Sequence, residues 1–177
     1  MFKTTLIIGG CRSGKSSHAL ALGEQSCGRT NLFVATCQPH DTEMAARIKR
    51  HQQERGDHWH TVETPLNPEH VVQSQGPGAD ILLIDCLTLW ISNLMMAHEA
   101  DADVLAAVNR LYESILAPPC PIILVTNEVG MGIVPENAMA RRFRDLTGWC
   151  NQKMASACHQ VIWMVAGIAV PVKMSGL

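Results

Sequence analysis

Short apolar runs alternate along this chain with longer segments of mixed polarity. Five of the runs are typical of buried strands: residues 4–8, 31–36, 79–85, 121–126 and 160–165. The third and fourth are almost continuously apolar, which is the pattern of parallel strands covered on both faces. Residues 170–173 predict a further short strand at a sheet edge, where their proline is tolerated.

The segments between these runs predict helices, at residues 17–24, 41–54, 88–98, 103–116 and 136–158. Residues 64–79 hold three prolines and two glycines, so we expect a loop there. The alternation of strands and helices predicts an α/β fold with a mostly parallel sheet and helices on both faces. Ligands in such folds bind at the carboxyl ends of the strands.

Composition narrows the class of protein. A length of 177 residues suits one domain, and we expect residues 1–177 to form it. The formal charge of −2 argues against a nucleic-acid partner. No apolar run approaches the roughly 20 residues of a membrane span, and the start of the chain predicts a strand rather than a signal peptide.

Cysteine usage favours a reducing cytoplasm. The chain has seven cysteines, an odd number, and none of them forms a C-x-x-C pair. Because most lie in apolar segments, we expect small buried side chains rather than a disulfide framework or a zinc site.

A phosphate-binding motif follows the first predicted strand. The pattern G-x-x-x-x-G-K-[ST] is matched by Gly9, Gly10, Cys11, Arg12, Ser13, Gly14, Lys15 and Ser16. Loop amides and the positive end of the next helix compensate phosphate charge. Lys15 is predicted to bridge the β- and γ-phosphates, and the Ser16 hydroxyl to bind Mg²⁺. This strand–loop–helix context predicts a three-layer sandwich of the P-loop NTPase type.

Asp85 ends the third apolar run, where P-loop proteins place a second acid that faces Mg²⁺. The alternatives are a solvated strand end or a cap for the next helix. With the phosphate motif upstream, the metal role is favoured.

Residues 51–63 contain three histidines and three acidic residues and leave several functions open. The spacing is poor for a metal site. A histidine nucleophile that attacks phosphorus is a second interpretation. From the residues alone, a polar surface is favoured.

Residues 126–137 combine glycines and an acid just after the fourth predicted strand, at the edge where function concentrates. Three arginines follow, at Arg141, Arg142 and Arg144. They either meet phosphates or solvate a helix, and their positions do not decide between the two.

Three blocks of the chain together resemble the bifunctional adenosylcobinamide kinase / adenosylcobinamide-phosphate guanylyltransferase family of cobalamin assembly. The blocks are residues 9–16, residues 43–48 with His51 and 58–59, and residues 127–135 with 142–145 and 151–152. The likeness runs essentially from end to end. The first block is shared with many NTPases, whereas the run at 127–135 is much more specific.

The resemblance implies two successive reactions. ATP or GTP first phosphorylates the aminopropanol hydroxyl of adenosylcobinamide. GTP then guanylylates a histidine, and GMP passes to adenosylcobinamide phosphate to give adenosylcobinamide-GDP. The implied cofactor is Mg²⁺, and the implied assembly is a homo-oligomer, a trimer in the family.

By position, the nucleophile of the family falls on His51, which reverses the interpretation drawn from the residues alone. Further positions implied to contact the nucleotide are Ala35, Thr36, Cys37, Gln52, Gln53, Glu54, Arg55, Glu63 and Asp85. The chain departs from the family at Arg50, where some relatives carry a second histidine, and at Cys11, where a small residue is usual. Neither departure removes a group that the chemistry needs.

Two rival functions remain to be separated from this one. A monofunctional P-loop kinase predicts phosphoryl transfer without protein-bound GMP. A nucleotide-gated regulatory module predicts tight binding with little turnover and no dependence on cobinamide.

Overall fold

The computed structural model describes residues 3–25, 30–38 and 58–174. The strands are β1 (Thr4–Gly9), β2 (Asn31–Ala35), β3 (Trp59–Glu63), β4 (Ile81–Asp85), β5 (Ile122–Asn127), β6 (Gln160–Val165) and β7 (Ile168–Met174). The helices are α1 (Lys15–Glu24), α2 (Pro68–Gln75), α3 (Leu87–Ala97), α4 (Asp101–Leu116) and α5 (Ala138–Ala157). A short 3-10 turn, Gly76–Gly78, follows α2.

The strands form one sheet in the order β3-β2-β4-β5-β1-β6-β7. All neighbours pair in parallel except β7, which runs antiparallel to β6 at the sheet edge. The predicted α/β sandwich with an edge strand near the carboxyl end is therefore confirmed. The crossing connections place β5 between β1 and β4, so the two strands that carry the phosphate motif and Asp85 are not neighbours.

Apolar side chains cover both faces of the sheet. On one face, Ala19 of α1 packs with Ile7, Phe33, Trp59 and Ile123. On the other face, α2 to α5 pack over the alternate strand residues, with Trp90 fully buried among them. Continuous apolar runs in the sequence follow from this double covering, because neither face of the central strands meets water.

The loop predicted for residues 64–79 is wrong, since α2 occupies its centre. Pro68 stands in the first turn of α2, where its missing N–H costs nothing. Val71 and Val72 bury against the core, and the glycines fall in the 3-10 turn that follows. Prolines and glycines at the two ends of a short helix thus resembled a loop.

β3 was also missed by the sequence reasoning. Only Trp59 of this strand is buried, whereas His60, Thr61 and Glu63 are exposed. The strand exists because its backbone pairs with β2 along its whole length. The helix predicted for residues 41–54 lies outside the described residues.

Candidate functional site

The phosphate motif forms a tight turn at the carboxyl end of β1. Gly9 lies so close to β6 that a Cβ atom there would stand 2.4 Å from the Met164 carbonyl oxygen and 2.8 Å from Ser13 Oγ. Gly14 has a φ of 90°, a conformation that side chains disfavour, and leads directly into α1. The predicted strand–loop–helix context is present.

The Lys15 side chain is buried within the same loop. Its Nζ donates to the Gly10 carbonyl oxygen at 2.6 Å and lies 3.5 Å from Ser13 Oγ. Ser16 is half-buried in the first turn of α1. The loop thus leads directly into the amino end of α1, which is the kind of arrangement that stabilises a bound phosphate.

A cavity of about 360 Å³ opens between this loop and the neighbouring strand ends. The turn between β6 and β7 contributes to the lining of this cavity. The turn is bound to the phosphate loop, because Gly167 N donates to the Ser13 carbonyl oxygen at 3.1 Å. The lining residues are Gly10, Cys11, Arg12, Ser13, Glu128, Met131, Trp163, Met164, Val165 and Ala166. One wall is thus the phosphate loop, and another is the loop after β5.

Asp85 ends β4 at the same edge of the sheet. Burial raises the pKa of the next residue, the Cys86 thiol, to about 12; the Asp85 carboxylate adds to that rise and the Lys15 ammonium opposes it. Both charges therefore act on the start of α3. The Mg²⁺-facing role predicted for Asp85 stays a prediction.

Thr36 ties the ends of β2 and β4 together. Its hydroxyl donates to the Cys86 carbonyl oxygen at 2.8 Å and accepts from Cys86 N at 2.9 Å. Asn93 Nδ2 donates to the Thr36 carbonyl oxygen at 2.7 Å. The structure thus uses this buried side chain to hold the backbone beside Asp85, and its predicted contact with a nucleotide stays a prediction.

Three of the predicted nucleotide-contacting residues lie in one row across the sheet. Ala35 pairs with Glu63 on one side and with Asp85 on the other. Four strand spacings, about 19 Å, separate β3 from β1. Glu63 is exposed at the far end of this edge from the phosphate loop. Cys37 is half-buried just beyond the row.

A buried chain of hydrogen bonds supports the end of β5. The Thr88 and Thr126 hydroxyls lie 3.2 Å apart, Thr126 Oγ1 donates to Asn151 Oδ1 at 2.8 Å, and Thr88 Oγ1 accepts from Asn127 N at 2.7 Å. Asn151 Nδ2 donates to the Asn127 carbonyl oxygen at 3.2 Å. Side chains of α3 and α5 therefore hold both backbone groups of Asn127, a role that sequence reasoning did not assign. The available signal was a polar residue inside an apolar run.

The three arginines make protein contacts. Arg142 Nε pairs with Asp101 Oδ1 at 2.6 Å, and Arg141 donates to the backbone that leads into α5. Arg144 Nη2 donates to the Gly130 carbonyl oxygen. These bonds do not decide between the two alternatives left open by the sequence, phosphate contact and a solvated helix face.

The predicted nucleophile His51 and the adjoining Gln52, Gln53, Glu54 and Arg55 lie outside the described residues. Within the described ranges, no group of three or more His, Cys, Asp or Glu side chains is arranged to hold a metal. The six cysteines in those ranges form no disulfide. Of the helices described, none is long and apolar enough to cross a membrane.

The fold and the loop define a P-loop NTPase-like protein. The RadB recombinase is similar over 90% of this chain and 73% of its own, with a TM-score of 0.51 at 15% identity. An ATPase from the type III secretion system of pathogenic bacteria is similar over 96% of this chain and 56% of its own, with a TM-score of 0.57 at 12% identity. At these identities the likeness concerns the fold alone.

Sequence comparison then identifies the family. Residues 5–172 match the family described as cobinamide kinase / cobinamide phosphate guanyltransferase, and the chain belongs to it. The bifunctional adenosylcobalamin biosynthesis protein CobU of Escherichia coli (strain K12) is 41% identical over 95% of this chain and 98% of its own length. The corresponding protein CobP of Pseudomonas aeruginosa is 40% identical over 95% of this chain and 96% of its own. The expected resemblance is confirmed, and the chain is an enzyme of the combined kinase and guanylyltransferase class.

Proposed function

We propose that this chain phosphorylates adenosylcobinamide with ATP or GTP and then transfers GMP from GTP, through a guanylylated His51, to adenosylcobinamide phosphate. The product is adenosylcobinamide-GDP. The observation that carries this proposal is the loop at the end of β1, with its left-handed Gly14 and its buried Lys15. Membership of the family supplies the corrinoid substrate.

In the kinase step, Gly9 to Ser16 hold the triphosphate. Backbone amides of the loop and the Lys15 ammonium stabilise charge on the departing nucleoside diphosphate. The Ser16 hydroxyl and the Asp85 carboxylate would hold Mg²⁺, which would supply further charge neutralisation at the phosphates. The position of Asp85 at the carboxyl end of β4, in the same parallel sheet as β1, supports this assignment.

In the guanylyl step, a neutral imidazole nitrogen of His51 attacks the α-phosphorus of GTP. A P–N bond forms as the bond to pyrophosphate breaks. A phosphate oxygen of adenosylcobinamide phosphate then attacks the same phosphorus, and the P–N bond breaks to restore the histidine. A histidine suits this role because its ordinary pKa of about 6.5 leaves it neutral at physiological pH.

Glu63, Ala35, Thr36 and Cys37, together with residues 52–55, are proposed to surround the guanosine of the nucleotide. The row formed by Glu63, Ala35 and Asp85 supports this placement, because it extends from the Mg²⁺-facing acid away from the phosphate loop. Glu63 contacts either the base or the ribose in this proposal.

Protein-bound GMP provides the test. The wild-type protein is incubated with α-labelled GTP and Mg²⁺, and acid-labile, base-stable label on the protein is measured. His51→Ala should abolish the label and leave cobinamide phosphorylation largely intact, whereas His60→Ala, on exposed β3, should label like the wild type. Labelling retained in His51→Ala would contradict the assignment. Phosphorylation without any labelled wild-type protein would indicate a monofunctional kinase.

We further propose that residues 1–177 act as one catalytic domain in the cytoplasm and that copies associate, as a trimer in the family. Exposed apolar residues on the antiparallel edge of the sheet support association. They include Trp163, Val165, Ile168, Val170 and Val172. Light scattering on Val172→Asp should give a lower mass than the wild type. An unchanged mass would place the contact elsewhere.

A further inference from the structure

Glu128 stands directly after β5, between the phosphate loop and Asp85. In the register of the sheet, Asn127 pairs with Gly9 on β1, and Val125 pairs with Asp85 on β4. A triphosphate held by the loop directs its terminal phosphate toward Lys15 and the metal-facing acid. The first residue beyond Asn127 is therefore next to the position of the transferred phosphoryl group.

The backbone fixes Glu128 to the phosphate loop. Its N–H donates to the Gly9 carbonyl oxygen at 3.0 Å. Glu128 also lines the same cavity as Gly10 to Ser13. A substrate that enters this cavity thus meets Glu128 and the loop together.

One oxygen of the Glu128 carboxylate is oriented and the other is available. Oε1 accepts from Gly130 N at 2.5 Å, and Arg144 holds the Gly130 carbonyl. Oε2 makes no hydrogen bond with the described residues. Neither the ion pair of Arg110 with Glu69 nor that of Arg142 with Asp101 involves Glu128.

We propose that Glu128 is the catalytic base of the kinase step. The inference rests on the proposed function, because it requires a triphosphate in the loop and a hydroxyl as acceptor. The hydroxyl oxygen attacks the γ-phosphorus, and the new O–P bond forms as the bond between this phosphorus and the β–γ bridging oxygen breaks. The nucleoside diphosphate leaves with that electron pair. The hydroxyl proton passes to Glu128 Oε2 and then to solvent.

Other groups at this edge are less suited to take the proton. Asp85 is assigned to the metal, and Lys15 to the phosphates. Glu63 lies about 19 Å from β1 across the sheet. Glu128 combines a carboxylate, a place on the cavity wall and a fixed orientation.

The test compares Glu128→Gln and Glu128→Ala with the wild type in cobinamide phosphorylation. Glu136→Gln serves as a matched control, since this exposed glutamate lies in the same loop and outside the cavity lining. The glutamine retains an oxygen that accepts from Gly130 N but cannot take a proton. We expect kcat to fall about 10²- to 10⁴-fold in Glu128→Gln. The KM for the nucleotide and the labelling by α-labelled GTP should change less than threefold.

A second measurement separates a base from a structural residue. Added formate should restore part of the kcat of Glu128→Ala, because a small carboxylate replaces the missing one, and should not affect Glu128→Gln. A kcat of Glu128→Gln within threefold of the wild type would overturn the proposal, as would an equal loss of nucleotide affinity and rate. A wild-type protein that fails to phosphorylate cobinamide would instead overturn the proposed function.

Discussion

The loops after β1 and β5 are neighbours in the sheet, yet different forces shape them. The β1 loop takes its form from its own backbone: Gly9 admits the close approach of β6, and Gly14 supplies a positive φ. The β5 loop takes its form from distant side chains, with Thr88 of α3 and Asn151 of α5 holding the two backbone groups of Asn127. The first loop is a local motif, and the second is a product of packing.

This difference matters because the two loops face the same cavity. The phosphate loop carries donors and a cation, whereas the β5 loop carries the Glu128 carboxylate. A ligand that bridges them requires both loops at a set separation. The hydrogen bond from Glu128 N to the Gly9 carbonyl oxygen joins them directly.

The largest effect is expected from an added methyl group in the β1 loop. In Gly9→Ala the Cβ meets the Met164 backbone oxygen at 2.4 Å, so β6 or the loop must shift. We expect the variant to lose about 1–3 kcal/mol of stability, measured by thermal unfolding. We expect its affinity for GTP, measured by calorimetric titration, to fall about 10- to 100-fold. Gly10→Ala is the matched variant for stability, since nothing lies within 4 Å of its Cβ. Equal unfolding temperatures for the two variants would contradict the close-packing argument.

The next effect concerns the hydrogen bonds behind the β5 loop. Thr126→Val removes a buried hydroxyl and leaves Asn151 Oδ1 without its donor, which costs about 1–3 kcal/mol. Thr147→Val on the same helix as Asn151 is the control, because the buried Thr147 hydroxyl has no partner among the described residues. That variant should be neutral or stabilising. Urea denaturation of both variants measures the difference in their free energies of unfolding. Similar losses of stability in the two variants would show that these hydrogen bonds do not form a stabilising network.

The smallest effect concerns the pH dependence of stability that comes from the buried thiol of Cys150, the residue before Asn151. Burial raises the pKa of Cys150 from its usual 9.0 to about 12. Above pH 9 the unfolded chain therefore loses this proton while the folded chain keeps it, and stability falls as the pH rises from 9 toward 12. Between pH 7 and pH 10 this thiol contributes a loss on the order of 1 kcal/mol.

Denaturation at the two pH values with Cys150→Ala measures this contribution. The variant should lose less stability than the wild type between pH 7 and pH 10. Cys11→Ala is the comparison for the loss of a cysteine, because Cys11 is exposed in the β1 loop. An identical pH dependence in all three proteins would contradict the buried state of Cys150.

Individual elements show what sequence reasoning reached. β4 was predicted because Ile81 to Ile84 are all apolar, and these residues are fully buried. β3 escaped prediction because His60, Thr61 and Glu63 are exposed, and only pairing with β2 defines the strand. The helix α2 was not predicted because Pro68 and Gly76 are residue types typical of loops. In the structure they lie at the two ends of the helix.

The candidate site also contains residues that the sequence predicted and residues that it did not. The glycines and Lys15 of the phosphate loop were identified from their spacing, because a sharp turn after a strand imposes its residue types locally. Asp85 followed from its position at the end of an apolar run. The support of Asn127 by Thr88 and Asn151 was not foreseen, since those residues lie far apart along the chain.

The sequence by itself determined the α/β class, the phosphate loop and the family, since apolar periodicity and a local turn motif depend only on neighbouring residues. Only the tertiary structure decided that β5 stands between β1 and β4, and thereby that Glu128 faces the cavity beside the phosphate loop. Strand order is set by how helices and strands from the whole chain pack into two covered faces. No local pattern in the sequence encodes that order, so the relation between the two loops becomes visible only in the folded protein.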